Sequence, residues 1–266
     1  MKTLFNSKRQ KSKAKKQYFS LILPMAYCLM PNASFSQEKQ QDTTKVNQLN
    51  EVTVSAVRAK GKNPITFTNL SKKEIAPRNL GQDIPVLLNY LPSVVTTTDA
   101  GNGVGYTYMR VRGADGSRIN VTLNGIPFND SESQGTFFVN LPDFASSLES
   151  VQLQRGVGTS TNGAGAFGAS LNMQTKSFRE KAFAEISNSV GSFATRKHTL
   201  AFGTGLHNNF EMNARISNIA SDGFIDRASS NMFGYFFNAN YITEKSQVKF
   251  LAFGGKQKTY QAWYGI

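Results

Sequence analysis

The sequence predicts an α+β domain followed by the first strands of an antiparallel transmembrane β-barrel. Three observations point there. From about Lys181 onward polar and apolar residues alternate with a period of two, the rhythm of strands with two unlike faces. Residues 61–178 instead mix helix-capping signals with glycine-marked turns. Beyond the N-terminus no apolar run approaches the roughly 20 residues of a membrane helix, so a closed barrel is the remaining way to satisfy a backbone in lipid.

Residues 1–36 read as a secretory signal peptide. Lys2, Lys8, Arg9, Lys11, Lys13, Lys15 and Lys16 form a basic run, Tyr18 to Met30 carries no charge, and Ser34 and Ser36 are small residues suited to cleavage after about Ser36. Cys28, the one cysteine, lies inside this segment, and the bulky Tyr27 before it does not suit lipoprotein processing. The mature chain is therefore expected to hold neither disulfide nor catalytic thiol. The formal charge of +13 falls to +6 without the signal, because seven of the 30 Lys+Arg leave and none of the 17 Asp+Glu does. That surplus forms no basic stripe, which speaks against nucleic acid as a partner.

Residues 37–60 form a polar, glutamine-rich leader that changes character at Leu49-Asn-Glu-Val-Thr-Val-Ser-Ala56. Val52, Val54 and Ala56 alternate with Thr53 and Ser55. Such a segment suits pairing with the edge of another protein's sheet; it also fits the first strand of the next domain.

Within 61–178, Ser71-x-x-Glu74 is a capping signal, and Ile84, Leu87, Leu88 and Leu91 are spaced for a second short helix before Pro92. Strands are expected at Tyr106–Val111, Ile119–Leu123, Ser150–Gln154 and Ser170–Thr175, with turns at Asp115-Gly116 and Asn124-Gly125. The string Gly163-Ala-Gly-Ala-Phe-Gly168 matches a dinucleotide cradle, yet the residues after it alternate with period two. A strand there offers no helix N-terminus to a pyrophosphate.

Residues 179–266 are expected to supply about five barrel strands of roughly ten residues. Phe210, Met212, Ala214 and Ile216 alternate with Glu211, Asn213, Arg215 and Ser217; Phe233, Tyr235, Phe237, Ala239 and Tyr241 alternate with Gly234, Phe236, Asn238 and Asn240. Alternation also runs through Ala182–Val190 and His198–Thr204, with breaks at 191–195, 205–209, 221–230 and 243–246. Half of the chain's aromatics fall after Lys181, as interfacial girdles require. A soluble β-sandwich would alternate too. No enzyme is expected: the two histidines, His198 and His207, lack metal-ligand spacing, no G-x-S-x-G elbow occurs, and the carboxylates are scattered. Neither metal nor cofactor is implied.

The order of signal, extended box, glycine-rich domain and barrel strands resembles the TonB-dependent outer-membrane receptors. Leu49–Ala56 (Leu49, Asn50, Glu51, Val52, Thr53, Val54, Ser55, Ala56) looks like their TonB box. Met109-Arg-Val-Arg-Gly113 and Val121-Thr-Leu-Asn-Gly-Ile-Pro-Phe128 look like the plug signature, and Ser150-Val-Gln-Leu-Gln-Arg-Gly156 with 163–173 like the end of the plug. The resemblance implies a plug domain over 61–178, the TonB C-terminal domain with its inner-membrane ExbB/ExbD motor as partner, outer-membrane lipid around the barrel, and energised uptake of a scarce small molecule or metal chelate. The glycine string would then allow a tight, φ-positive path inside the barrel. Arg112 and Arg155 would lock the plug to glutamates on barrel strands beyond Ile266. By position, Asn102, Tyr106, Asp115, Ser117, Ser133, Gln134 and Phe137 would touch ligand. With 22 strands in such barrels, the chain is expected to be a fragment of a longer receptor. The absence of a domain before the box tilts the ligand toward an iron chelate, haem or cobalamin and away from glycans. A surface binding protein or adhesin that uses the barrel only as an anchor, or a glycan importer of the same family, is the alternative.

Overall fold

The computed structural model describes residues 58–61, 64–158, 166–176 and 178–260. The signal segment, the box at 49–56, Gly163 to Gly165 and the last six residues lie outside them. The N-terminal domain is built on a five-stranded sheet in the order β1 (Thr66–Ser71), β6 (Leu148–Arg155), β7 (Ala169–Thr175), β4 (Ile119–Leu123), β5 (Ile126–Pro127). β4 and β7 run parallel, and the other pairs antiparallel. A separate hairpin joins β2 (Val94–Thr98) to β3 (Thr107–Val111).

The capping signal holds. Glu74 accepts from the Ser71 backbone N–H at 2.8 Å and from its hydroxyl at 2.7 Å, starting α1 (Lys72–Ile75). The second helix is a single turn, α2 (Ile84–Leu87), with Pro85 in its first turn. Asn124 and Gly125 both take positive φ, 52° and 82°, the geometry of a two-residue hairpin turn between β4 and β5. One face of the sheet is apolar: Leu70, Val121, Leu123, Val151, Leu153, Leu171 and Met173 pack with Ile75, Leu87, Leu88 and Phe144 in a single core. β1, β2 and the two-residue β5 were not expected from the sequence.

Gly168 leads directly into β7, so the period-two reading of 169–175 stands and the nucleotide cradle falls. The reason for glycine at 168 differs from the expected one. Its φ is not positive; a Cβ there would collide with Ala114, because Gly168 donates its N–H to Arg118 O at 2.8 Å and packs against that turn.

The second body is a meander of five antiparallel strands, β8 (Phe183–Val190), β9 (Arg196–Gly203), β10 (Phe210–Ser221), β11 (Ser230–Ile242) and β12 (Gln247–Thr259), and it is not closed. Alternation sorts its two faces. Leu200, Phe202, Phe210, Ile216, Phe233, Tyr235, Tyr241 and Phe250 stand exposed on one, while Lys197, Thr199, Glu211, Arg215, Ser217, Asn238 and Asn240 are buried on the other. A sheet that is apolar outside and polar inside is the arrangement of a membrane barrel wall. The inner face meets the N-terminal domain, and Phe236, Leu251 and Phe253 join its core.

Candidate functional site

One carboxylate collects the ion pairs that fasten the two bodies. Asp143 precedes a short 3₁₀ turn (Phe144–Ser147) that feeds β6, and it sits at φ 53°, an uncommon conformation for a residue with a Cβ. Its Oδ1 lies 2.6 Å from Lys197 Nζ on β9, and its Oδ2 lies 2.7 Å from Arg215 Nη1 on β10. Thr199 Oγ1 donates to Oδ2 at 2.9 Å, and Ser146 Oγ donates to Oδ1 at 2.5 Å. Arg215 also donates to Asp143 O at 2.6 Å and to Ser147 Oγ at 2.9 Å, and Lys197 to Ser146 Oγ at 3.1 Å.

The strand period creates this cluster. Thr199 faces Ser217 across the β9–β10 ladder, so Lys197, Thr199, Arg215 and Ser217 all project from the same face. Burial pushes the Asp143 carboxyl up, but Arg215 and then Lys197 outweigh it and hold the group below the ordinary carboxylate range. A buried charge with this many partners is satisfied; removing one partner leaves the rest uncompensated, at about 3–5 kcal/mol. The ion cluster was not anticipated. Its partners stand 54 and 72 positions along the chain from Asp143, and Pro142-Asp143 reads locally as a turn.

A second seam runs along residues 99–106. Ala100 O accepts from Phe224 N at 2.8 Å, and Asn102 Nδ2 donates to Ser221 Oγ at 2.5 Å and Thr195 Oγ1 at 3.5 Å. Tyr106 packs on a cluster of Val104, Val139, Ile219 and Met232. Two of the expected ligand contacts, Asn102 and Tyr106, are thus engaged with the wall.

Of the other five, Asp115, Ser117, Ser133 and Gln134 lie on turns beside the Ile119 end of β4, and Phe137 follows Gln134 along the same loop. Asp115 accepts from Ser117 N at 3.1 Å and from its hydroxyl at 2.6 Å, capping the turn before β4. Ser133 Oγ donates to Asp130 at 2.8 Å, and Gln134, at φ 56°, closes that turn with its N–H on Asp130 O at 2.9 Å. Phe137 is 46% exposed, an apolar side chain left on a polar loop. Asn129, which sequence reasoning passed over, holds this loop in place: its Oδ1 accepts from Val121 N at 2.7 Å, and its Nδ2 donates to Ile119 O at 2.9 Å and Gln134 O at 2.8 Å.

Arg155 donates from both Nη1 and Nη2 to Thr68 Oγ1 at 3.0 Å. Burial first, and then the nearby Arg112, lower its pKa. Arg112 takes φ 53° and its N–H bonds to Ser93 O at 2.9 Å. Among the described residues neither guanidinium forms a salt bridge. His198 shares 2.7 Å with Asn188 on the outer face, and no group of three His, Cys, Asp or Glu able to hold a metal occurs among the described residues. No helix among them is long and apolar enough to cross a membrane, which says nothing of strands.

Residues 59–170 match the model of the TonB-dependent receptor plug domain. The vitamin B12 transporter BtuB of Vibrio cholerae is 22% identical over 205 residues, covering 77% of this chain and 31% of that protein. The chain thus spans about a third of the length of the curated relatives it matches. Among solved structures, the copper transporter OprC aligns with a TM-score of 0.61 at 14% identity over 76% of this chain and 33% of its own. The unliganded ferric citrate transporter FecA gives 0.59 at 15% over 75% and 32%, and the siderophore receptor PirA of Acinetobacter baumannii 0.56 at 15% over 73% and 32%. At such identity the likeness is one of fold.

Proposed function

We propose, starting from a chain that belongs to the TonB-dependent receptors and carries their plug domain with strands like the start of their barrel, that it works as an energised importer in the outer membrane. The observation that carries the reading is the fastening of the plug to the inner face of an apolar-backed wall through Asp143, Lys197 and Arg215. The ion cluster stands beside the 99–106 seam and the aromatic contacts of Phe144, and all of these are non-covalent contacts that hold the plug at rest and part under load.

In this reading residues 1–36 direct export and are removed, 37–60 form the periplasmic leader, 61–178 the plug and 179–266 the first wall strands. Leu49–Ala56 pairs as a strand with the TonB C-terminal domain, which relays work from the inner-membrane ExbB/ExbD motor. Ligand is captured by the loops bordering the Ile119 end of β4, with Asp115, Ser117, Ser133, Gln134 and Phe137 as contacts. Asn102 and Tyr106 then report capture to the wall they already touch. Arg112 and Arg155 take carboxylate partners from further barrel strands. The ligand class is an iron chelate, haem or cobalamin; among similar receptors vitamin B12, a siderophore, ferric citrate and copper are named.

Deletion of Leu49–Ala56 tests this. Cells should still bind radiolabelled cobalamin or ferric chelate at the surface but stop accumulating it, and growth on that single source should fail. Accumulation unchanged by the deletion would instead favour a binding protein or adhesin anchored by its barrel.

A further inference from the structure

The first described residues, Arg58 and Ala59, are gripped by the polar face of the plug sheet. Gln152, on β6 and 1% exposed, stands in for a strand neighbour. Its Oε1 accepts from Ala59 N at 2.8 Å and its Nε2 donates to Ala59 O at 3.0 Å. The amide is held in that pose by Gln154, which donates to the same Oε1 at 2.8 Å, and by Asn69, which accepts from Nε2 at 2.7 Å. One residue upstream, Arg58 Nη2 donates to Ser150 O at 3.3 Å and Asn172 O at 3.1 Å, bridging β6 and β7.

The path of the chain gives this grip a direction. Arg58 and Ala59 lie against Ser150 and Gln152, whereas β1 begins at Thr66, paired with Arg155 at the far end of β6. Without the grip, a pull on the leader would pass beyond residue 59 toward β1 and peel it from β6 one residue pair after another. With it, the load falls on the middle of the sheet. β6 in turn continues N-terminally into Ser147–Asp143, the segment fastened to the wall.

We propose that Arg58, Ala59 and Gln152 form a clamp that delivers a pull on the leader to β6, and through it to the Asp143 fastening, before β1 is loaded. The role in transport rests on the importer reading; the clamp itself does not. The test is mechanical: the receptor carrying this chain is reconstituted in a bilayer and pulled by a handle on its leader. In Gln152→Ala the first rupture should come at lower force and be followed by stepwise release of β1. Hydrogen exchange of the Ala59 amide should accelerate about tenfold or more, while Val151 and Leu153 keep the parent rates. If Gln152→Ala fails to fold, Arg58→Ala carries the test, because it removes only the two bonds to carbonyls; it too should lower the first rupture force. First rupture at the parent force in the folded variants, or Ala59 exchange unchanged in Gln152→Ala, overturns the clamp. Uptake that persists after box deletion counts against the importer reading alone, since rupture force and exchange require no transport.

Discussion

Two buried aspartates in the plug have pKa values shifted in opposite directions. Asp143 is held below the ordinary carboxylate range by two cations despite its burial. Its stabilising contribution is therefore present throughout neutral pH and is lost only as pH falls below about 4, through its lowered pKa. Replacing it leaves Lys197 and Arg215 buried without a counter-charge, so Asp143→Ala should lower the stability of the folded receptor by about 3–5 kcal/mol. Chemical unfolding followed through the plug measures this, and a loss under about 1 kcal/mol would mean the cluster is solvated and holds little. Asp83 is pushed well above its usual range by burial, which hydrogen bonds from Thr107 and the Gly105 backbone only partly offset. There the folded state binds the proton more tightly than the unfolded one, so stability falls as pH rises above about 4. Asp83→Asn cannot titrate. The difference in melting temperature between this variant and the parent should shift in the variant's favour as pH is raised from 4 to 8, and a difference that stays flat would refute the assignment.

At the scale of elements, legibility followed how many faces a strand commits. Strands β8–β12 could be read because each sends one residue to the apolar outside and the next to the polar inside. The expected breaks at 191–195, 205–209 and 243–246 all fall between strands. β1, Thr-Phe-Thr-Asn-Leu-Ser, buries only Leu70 and so shows no period; β2 leaves Val95 62% exposed beside three threonines. The Asp143 cluster was illegible for a different reason: its members belong to three elements whose register no local pattern reveals. Where the wall passes close to the plug, β11 has Gly234. A Cβ at that position would lie 2.7 Å from Pro142 O and 3.1 Å from its ring. Gly234→Val should leave the wall ladder intact but push residues 141–143 away, at about 1–3 kcal/mol. Hydrogen exchange at Phe144 and Ser146 would then rise while β10–β11 amides keep their protection. Unchanged exchange at those two residues would show that the plug has room to spare there.

Across the whole molecule the plug does not own all of its core. Phe144, 2% exposed, meets Phe253 in a tilted contact at 5.0 Å and Phe236 edge-on at 5.9 Å, both from the wall. Phe128 meets Phe253 at 6.0 Å. Burial of a phenylalanine side chain contributes about 1.5–3 kcal/mol, so part of what stabilises the plug exists only inside its barrel. Residues 58–178 expressed alone should therefore keep β4, β6 and β7, whose apolar face is covered by α1, α2 and their neighbours. The stretch 138–147 should lose its seat, because both its ion partners and its aromatic neighbours are gone. Exchange of the Phe144–Ser147 amides should approach that of an unfolded chain, with a dye-binding apolar patch where Phe144 and Phe128 are uncovered, while Leu153 and Leu171 remain protected. Equal protection of 144–147 in the isolated domain and in the full receptor would mean that the plug is self-sufficient. In that case the wall contacts could be broken without loosening the segment that leads into β6, and a pull would have to open the plug elsewhere.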